Sequence, residues 1–452
     1  MPAGILYLVM QITSSLRYHI LTWGCQMNDA ESAAMARLLD SQGHRRVGDP
    51  WQADLILLVT CCVREKPEQK VYSLLGTLRE WKRERPGAVL AVAGCMAQQE
   101  GARLRRRMPH VDLVLGPKQL YRLPALLAAR NGAPHTELDL ARGHAFCAPA
   151  AAWQAGEAPG LSERVTIIQG CTNFCSYCVV PHVRGPETSR PAEEVMAEVR
   201  AMVGRGTREI TLLGQNVLAY GREGGDTDFV GLLARLHEIP GLWRIRFTTC
   251  HPRDVDERLI AVLRDLPLVC PHLHLPIQHG DDEVLRRMNR PYTVAEYERK
   301  LVALRQAAPG IAVTTDLLVG FPGETEAQFQ ALLGTTARLR FEGAFMFAFS
   351  PRRGTPAATL PDQVPAAEKR RRLRTLIALQ NRITSELHRA RVGEVHEVLV
   401  TGKSESDPAR QAGRTRTFHQ VVFPCDQDLA GTLVKVRLVR ARLWGFEGEL
   451  VP

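Results

Sequence analysis

Cys171, Cys175 and Cys178 stand at Cys-x3-Cys-x2-Cys spacing in the run Gln169-Gly170-Cys171-Thr172-Asn173-Phe174-Cys175-Ser176-Tyr177-Cys178. Three thiolates so close on one loop can hold three irons of a four-iron cluster, leaving the fourth iron without a protein ligand and free to bind something else. The competing chemistry, a zinc site, usually takes Cys-x2-Cys pairs and four protein ligands, and no fourth ligand stands beside this triad. Three more cysteines, Cys25, Cys61 and Cys95, each follow closely on an apolar run. The chain has eleven cysteines and no secretion signal, a combination that favours reduced thiolates kept for metal or catalysis over a disulfide framework.

The elements that must position these groups alternate in type. Tyr18–Thr22, Asp54–Val59, Ala88–Val92 and Asp112–Leu115 read as short buried strands with helical stretches between them, which implies an open parallel α/β sheet over residues 17–132. The carboxyl ends of such strands share one edge, so Cys25, Cys61 and Cys95 converge there. Residues 133–160, rich in Ala, Gly and Pro and containing Cys147, read as a linker. Strand and helix alternation then resumes over 161–388, with strands at Val165–Gln169, Glu209–Leu213, Arg244–Thr248, Leu273–Leu275, Ala312–Val319 and Ala344–Phe349. Six βα units make a partial or full barrel with its site at the carboxyl mouth. Residues 389–452 turn to β-branched runs and polar turns, which suggests a small antiparallel barrel. The chain is therefore an α/β multidomain protein of 452 residues. Its longest apolar run, Gly4–Met10, is far short of the roughly 20 residues of a membrane span and lacks the flanks of a signal peptide. Residues 1–16 read as an extension, with Met10 as an alternative initiator, and the protein as cytoplasmic.

The cluster loop, with Tyr177 before its last cysteine and Val179-Val180-Pro181-His182-Val183-Arg184-Gly185-Pro186-Glu187-Thr188-Ser189-Arg190 after it, resembles the radical S-adenosylmethionine methylthiotransferases. The resemblance extends over residues 17–452. It implies two 4Fe-4S clusters: a radical cluster on Cys171, Cys175 and Cys178 that binds and cleaves S-adenosylmethionine, and an auxiliary one on Cys25, Cys61 and Cys95. It also implies a TRAM-like RNA-binding module at the end of the chain. Val63-Arg64-Glu65-Lys66-Pro67-Glu68-Gln69-Lys70 is similar to the branch that acts on N6-isopentenyladenosine beside the tRNA anticodon. One S-adenosylmethionine would methylate a sulfur, and a second would yield the radical that removes hydrogen from adenine C2. The implied partners are the tRNA anticodon stem-loop and a flavodoxin- or ferredoxin-like electron donor, with no membrane and a monomeric enzyme. Two other substrates, a ribosomal-protein side chain and threonylcarbamoyladenosine in tRNA, share this chemistry, and a non-catalytic RNA-binding iron–sulfur protein is the reading from another class.

Tyr177, Glu187, Arg190, Gln215, Asn216, Gln278 and Asp316 are the polar candidates for cofactor contacts, each equally able to make a structural hydrogen bond. The sequence departs from the family at Val59, where Asn is usual, at Cys62, where Ser or Ala is common, and at His182 in place of Tyr. Because neighbouring residues leave a strand end in different directions, Cys61 rather than Cys62 is expected as the ligand. Cys147, Cys250, Cys270 and Cys425 lack partner spacing and read as small buried hydrophobes. Lys and Arg number 58 against 48 Asp and Glu, and Pro365–Arg391 alone carries eight basic and two acidic residues, +6 of the chain's +10. Within that stretch Lys369, Arg370, Arg371 and Arg372 are the candidate RNA phosphate ligands, against the plainer reading of a solvated helix face.

Overall fold

The computed structural model describes residues 15–62, 65–130, 132–141, 152–153, 156 and 158–451. Most of the N-terminal extension, Val63, Arg64 and Cys147 lie outside the described residues. The chain divides into two units, Met1–Ala158 with Val180–Thr188, and Pro159–Val179 with Ser189–Pro452. Residues 180–188 cluster with the first unit and residues 389–452 with the second.

In the first unit six strands, β1 (Arg17–Trp23), β2 (Arg45–Arg46), β3 (Leu55–Thr60), β4 (Val89–Gly94), β5 (Leu113–Leu115) and β6 (His135–Glu137), pair in the order β2-β1-β3-β4-β5-β6. Every pairing is parallel. β3 and β4 are buried at every residue, as expected of central strands covered on both faces. Tyr18, Met35, Leu39, Leu57, Val59 and Ala91 pack in one core. β6 lies within the stretch read as a linker. His135 and Thr136 pair with Leu113 and Val114, so the sheet takes up the start of that segment. The chain order reverses between β1 and β3, the place where open α/β sheets bind ligands.

The second unit carries β7 (Ser162–Thr166), β8 (Ile168–Gln169), β9 (Thr188–Ser189, only partly in this unit), β10 (Glu209–Leu213), β11 (Arg244–Phe247), β12 (His272–His274), β13 (Ala312–Val319) and β14 (Gly343–Ala348). Two parallel three-stranded sheets, β11-β10-β7 and β12-β13-β14, form, and a parallel bridge from Ile245 to Val269 links the end of one to the start of the other. This is a partial barrel. Its helices start on cheap local bonds: Asp228, Asp256 and Asp281 cap three of them, and Thr293 with Glu296 and Thr325 with Gln328 form capping boxes.

The remaining strands, β15 (Val395–Ser404), β16 (Asp407–Thr415), β17 (Gln420–Pro424), β18 (Leu433–Arg442) and β19 (Gly445–Leu450), close into a barrel around Val398, Val400, Val421, Phe423, Val436, Leu438 and Phe446. The barrel is antiparallel except where β17 pairs parallel to β19. Two buried arginines of β11 hold it to the partial barrel: Arg244 donates to the Arg414 carbonyl at 2.7 Å, and Arg246 to the carbonyls of Arg416 and Thr415, both at 2.8 Å. Glu209 of β10 supplies their counter-charge, 2.8 Å from Arg246. Among the described residues no helix is long and apolar enough to cross a membrane.

Candidate active site

In the first unit the ends of β1, β3 and β4 are level, with Trp23 opposite Thr60 and Thr60 opposite Gly94. Cys61 and Cys95 follow directly and Cys25 two residues on, so the three thiols come to one edge. Two glycines permit the approach. A Cβ on Gly94, which has φ +99°, would lie 2.4 Å from the Thr60 carbonyl oxygen, and one on Gly24 2.1 Å from Asn28 Oδ1. Asn28 Oδ1 caps the helix Gln26–Ser41 by accepting from the Cys25 backbone N–H at 3.2 Å.

The structure adds a fourth thiol. Both Cys61 and Cys62 lie beyond the last residue of β3, where strand alternation no longer separates them. Cys61 shares a hydrogen bond with Cys25 and Cys62 one with Cys95. The two neighbours leave the strand end toward different thiols, Cys61 toward Cys25 and Cys62 toward Cys95.

Beside the thiols is a buried ion pair absent from the sequence reading. Arg184 donates to Glu31 at 2.6 and 3.2 Å and through Nε to Cys95 Sγ at 3.2 Å, while Glu31 also accepts from Asn28. Arg184 is 2% exposed and Glu31 1%. The Cys61 hydrogen bond lowers the Cys25 thiol to about 6 against the opposing effect of burial, with Arg184 adding to the fall. For Cys95 the Cys62 hydrogen bond likewise outweighs burial, again with help from Arg184. A cluster of thiols beside a guanidinium suits an anionic, thiolate-ligated iron–sulfur group.

In the second unit Cys171, Cys175 and Cys178 occupy a loop after β8 that is fixed at several points. Gln215 Oε1 accepts from the Gly170 N–H at 2.6 Å, Ser176 N–H donates to the Met288 carbonyl at 3.0 Å, and its hydroxyl donates to the Arg287 carbonyl at 2.8 Å. Phe174 takes φ +47°, and Asn289 Nδ2 holds its carbonyl at 2.9 Å. Asn173 donates to Cys171 Sγ at 3.3 Å and is itself held by Arg253. Here too a buried arginine meets a thiol: Arg290 Nη1 lies 3.4 Å from Cys175 Sγ, with its other donors on Tyr292 and the Pro276 carbonyl. Each cysteine site thus has its own buried guanidinium, a role that the sequence reading assigned to neither arginine.

The polar candidates divide by what they touch. Gln215 is a positioning residue for the loop. Asn216 donates to Asp254 at 2.6 Å and keeps its buried Oδ1 without a partner, an acceptor available to a bound ligand. Burial opposes the charge on Asp254, but Asn216, Arg222 and Arg253 hold its pKa below the usual carboxylate value. Gln278 follows β12 at φ +69° and is tied through its backbone to Asp316 and Leu318. Asp316 lies inside β13 rather than at its end, 3.4 Å from His274 Nε2. Tyr177 is half-buried against the cluster of Val284, Met288 and Phe321, and burial pushes its phenol well above the ordinary value. Arg190 bonds to Glu198 and the Thr166 carbonyl, which ties it to β7. Glu187 is half-buried and clusters with the first unit.

Much of the basic stretch is engaged within the protein. Arg372 is 5% exposed and bonds to Glu324 at 2.9 Å and Glu368 at 2.8 Å, and Arg371 pairs with Glu368 and Glu326. Lys369 lays its stem against Gly320 and its ammonium over Phe349. Lys369, Arg371 and Arg372 thus make contacts that fasten the helix Ala366–Ala390 to the partial barrel, while Arg370 and Arg371 are exposed. Basic residues instead face outward from β18, at Lys435, Arg437, Arg440 and Arg442. At the turn into β19, Trp444 is 76% exposed and borders a cleft of about 360 Å³ with Arg410, Gln420 and Phe446.

Residues 165–335 match the Radical SAM superfamily, and residues 17–116 match a family described as Uncharacterized protein family UPF0004. The partial barrel with its three-cysteine loop is thus a radical S-adenosylmethionine core. Its fold is shared with a radical S-adenosylmethionine methyltransferase, TsrM, from Kitasatospora setae, at TM-score 0.54 and 14% identity over 76% of this chain and 77% of that one. Two curated relatives run nearly the full length. The tRNA-2-methylthio-N(6)-dimethylallyladenosine synthase of Moorella thermoacetica is 46% identical over 96% of this chain and 98% of its own. That of Carboxydothermus hydrogenoformans is 44% identical over 96% and 99%. The chain belongs to the tRNA-2-methylthio-N(6)-dimethylallyladenosine synthase family.

Proposed function

We infer that this enzyme replaces hydrogen at adenine C2 of N6-isopentenyladenosine, beside the tRNA anticodon, with a methylthio group, using two 4Fe-4S clusters and two molecules of S-adenosylmethionine. The observation that carries the reading is the second thiol cluster, on Cys25, Cys61 and Cys95, in a chain that already holds a radical loop on Cys171, Cys175 and Cys178. A radical enzyme that only cleaves S-adenosylmethionine needs one cluster, whereas sulfur insertion needs a place to hold sulfur. When bound, these groups supply the electron, the radical and the sulfur. The protein's own residues do the rest. Gln215, Ser176 and Asn289 fix the loop, Arg184 and Arg290 offset thiolate charge, and Asn216 presents an unpaired acceptor. The substrate is the anticodon stem-loop carrying N6-isopentenyladenosine. The working form is a cytoplasmic monomer reduced by a flavodoxin- or ferredoxin-like donor.

The test is anaerobic reaction of the reconstituted enzyme with anticodon stem-loops bearing adenosine, N6-isopentenyladenosine or threonylcarbamoyladenosine, followed by nucleoside mass analysis. A 2-methylthio product from the isopentenylated RNA alone is expected. Cleavage of S-adenosylmethionine with no such product, or product from the threonylcarbamoyl RNA alone, overturns the reading.

The exposed basic residues of β18 and the exposed Trp444 support an RNA-holding surface on the closing barrel. Base stacking on an exposed aromatic contributes about 1–3 kcal/mol, so Trp444→Ala should weaken binding of the stem-loop roughly 5- to 150-fold. Replacing Lys435 and Arg437 by alanine should lower the slope of log affinity against log salt by roughly one for each lost phosphate contact. Arg371→Ala with Arg372→Ala should leave that slope unchanged and lower the unfolding temperature instead. Filter binding over a salt series, with thermal melts of each variant, checks both halves.

A further inference from the structure

Cys62 is unexplained by a three-cysteine auxiliary site. It is fully buried, hydrogen-bonded to Cys95, and placed past the end of β3, where it and Cys61 reach different partners at the same sheet edge. The four thiols form two touching pairs, Cys25 with Cys61 and Cys62 with Cys95, beside Arg184. Four thiolates are the complement of a closed 4Fe-4S cluster, and three leave one iron open.

Resting on the two-cluster reading above, we propose that Cys62 is a fourth thiolate ligand of the auxiliary cluster, closing the iron that Cys25, Cys61 and Cys95 leave open until an incoming sulfur ligand displaces it. The exchange breaks the bond from iron to Cys62 sulfur and forms one from iron to an incoming hydrosulfide or methanethiolate. No electron is transferred, and the released thiolate takes a proton from solvent. A cysteine on that iron protects the site from solvent and from stray ligands between turnovers. It also means that Cys61 has a neighbour able to stand in for it, so loss of either cysteine alone leaves three ligands and loss of both leaves two.

The experiment uses the full chain with Cys171, Cys175 and Cys178 replaced by alanine, so that the auxiliary cluster is the sole source of iron and of paramagnetic signal. This parent is compared with versions that also carry Cys61→Ala, Cys62→Ala or both, after anaerobic reconstitution, with circular dichroism to confirm the fold of each. Iron is counted, and the reduced cluster's electron paramagnetic resonance spectrum is followed as methanethiolate is added. Expected are about four irons in the parent and in each single variant, with loss of most iron in the double variant. The concentration of methanethiolate that half-converts the spectrum should be at least about tenfold lower with Cys62→Ala than in the parent, because no protein ligand competes. If Cys61→Ala empties the site while Cys62→Ala changes neither the iron count nor the half-conversion, Cys62 only packs there and the proposal fails. Loss of iron from Cys62→Ala with retention in Cys61→Ala also overturns it, since Cys62 would then be an obligatory ligand rather than a displaceable one. Absence of iron from the parent, when the unmodified chain holds about four, refutes the two-cluster reading itself and the proposal with it.

Discussion

Replacing Cys171, Cys175 and Cys178 together by alanine should reduce the iron of the anaerobically reconstituted chain from about eight per molecule to about four, and abolish reductive cleavage of S-adenosylmethionine. The loop that carries them is held by bonds that none of the three thiols makes: Gln215 to Gly170, Ser176 to Met288 and Arg287, and Asn289 to Phe174. The substitutions therefore remove ligands without removing the scaffold, and the variant should retain its secondary structure. The reciprocal variant, Cys25, Cys61, Cys62 and Cys95 all to alanine, should also fall to about four irons but still cleave S-adenosylmethionine and yield no methylthio product. Iron and sulfide assays with chromatography of 5′-deoxyadenosine separate the two. About four irons in the wild type and none in the radical-loop variant would eliminate the second cluster, and a reciprocal variant that still transferred sulfur would separate the sulfur from these cysteines.

What could be read from the sequence was local. A strand ending in cysteine is visible in a few residues, so the edge of the parallel sheet and the spaced triad were legible before any coordinates. Side chains that reach the site from far along the chain were not. Arg184 meets Glu31 across 153 residues and Arg290 meets Cys175 across 115, distances that no periodicity encodes. The run Lys369–Arg372 looked like one basic patch because composition ignores helix faces. Three and four residues apart along that helix, Glu368 meets Arg371 and Arg372, while Arg372 turns inward to Glu324. The short strand His135–Glu137 was hidden because its pairing with β5, not its own composition, makes it a strand. The plainer reading of the isolated cysteines holds for two of them: Cys250 and Cys270 are buried, and burial raises both thiols above their ordinary pKa. Cys425 is only half-buried, on the margin of the barrel core.

Arg184→Met should be the most damaging single substitution in the first unit. Glu31, 1% exposed, would lose the guanidinium that binds it through two nitrogens, and a buried carboxylate stripped of its partner typically costs about 3–5 kcal/mol. Cys95 would lose the same residue's Nε, so instability and weakened cluster retention should appear together. Two further variants separate these effects. Arg184→Met with Glu31→Gln removes the stranded charge and should recover most of the stability. It should not recover the electrostatics, because a cation beside an anionic cluster favours the reduced, more negative form. The auxiliary cluster of the double variant should therefore have a lower midpoint potential than wild type. Arg184→Lys keeps the charge but cannot span both Glu31 oxygens and Cys95 at once, so it should preserve more of the potential than of the stability. Denaturant unfolding and potentiometric titration of the auxiliary cluster measure the two quantities independently. If the double variant restores both to wild-type values, Arg184 serves only to neutralise Glu31 and has no influence on the thiols it touches.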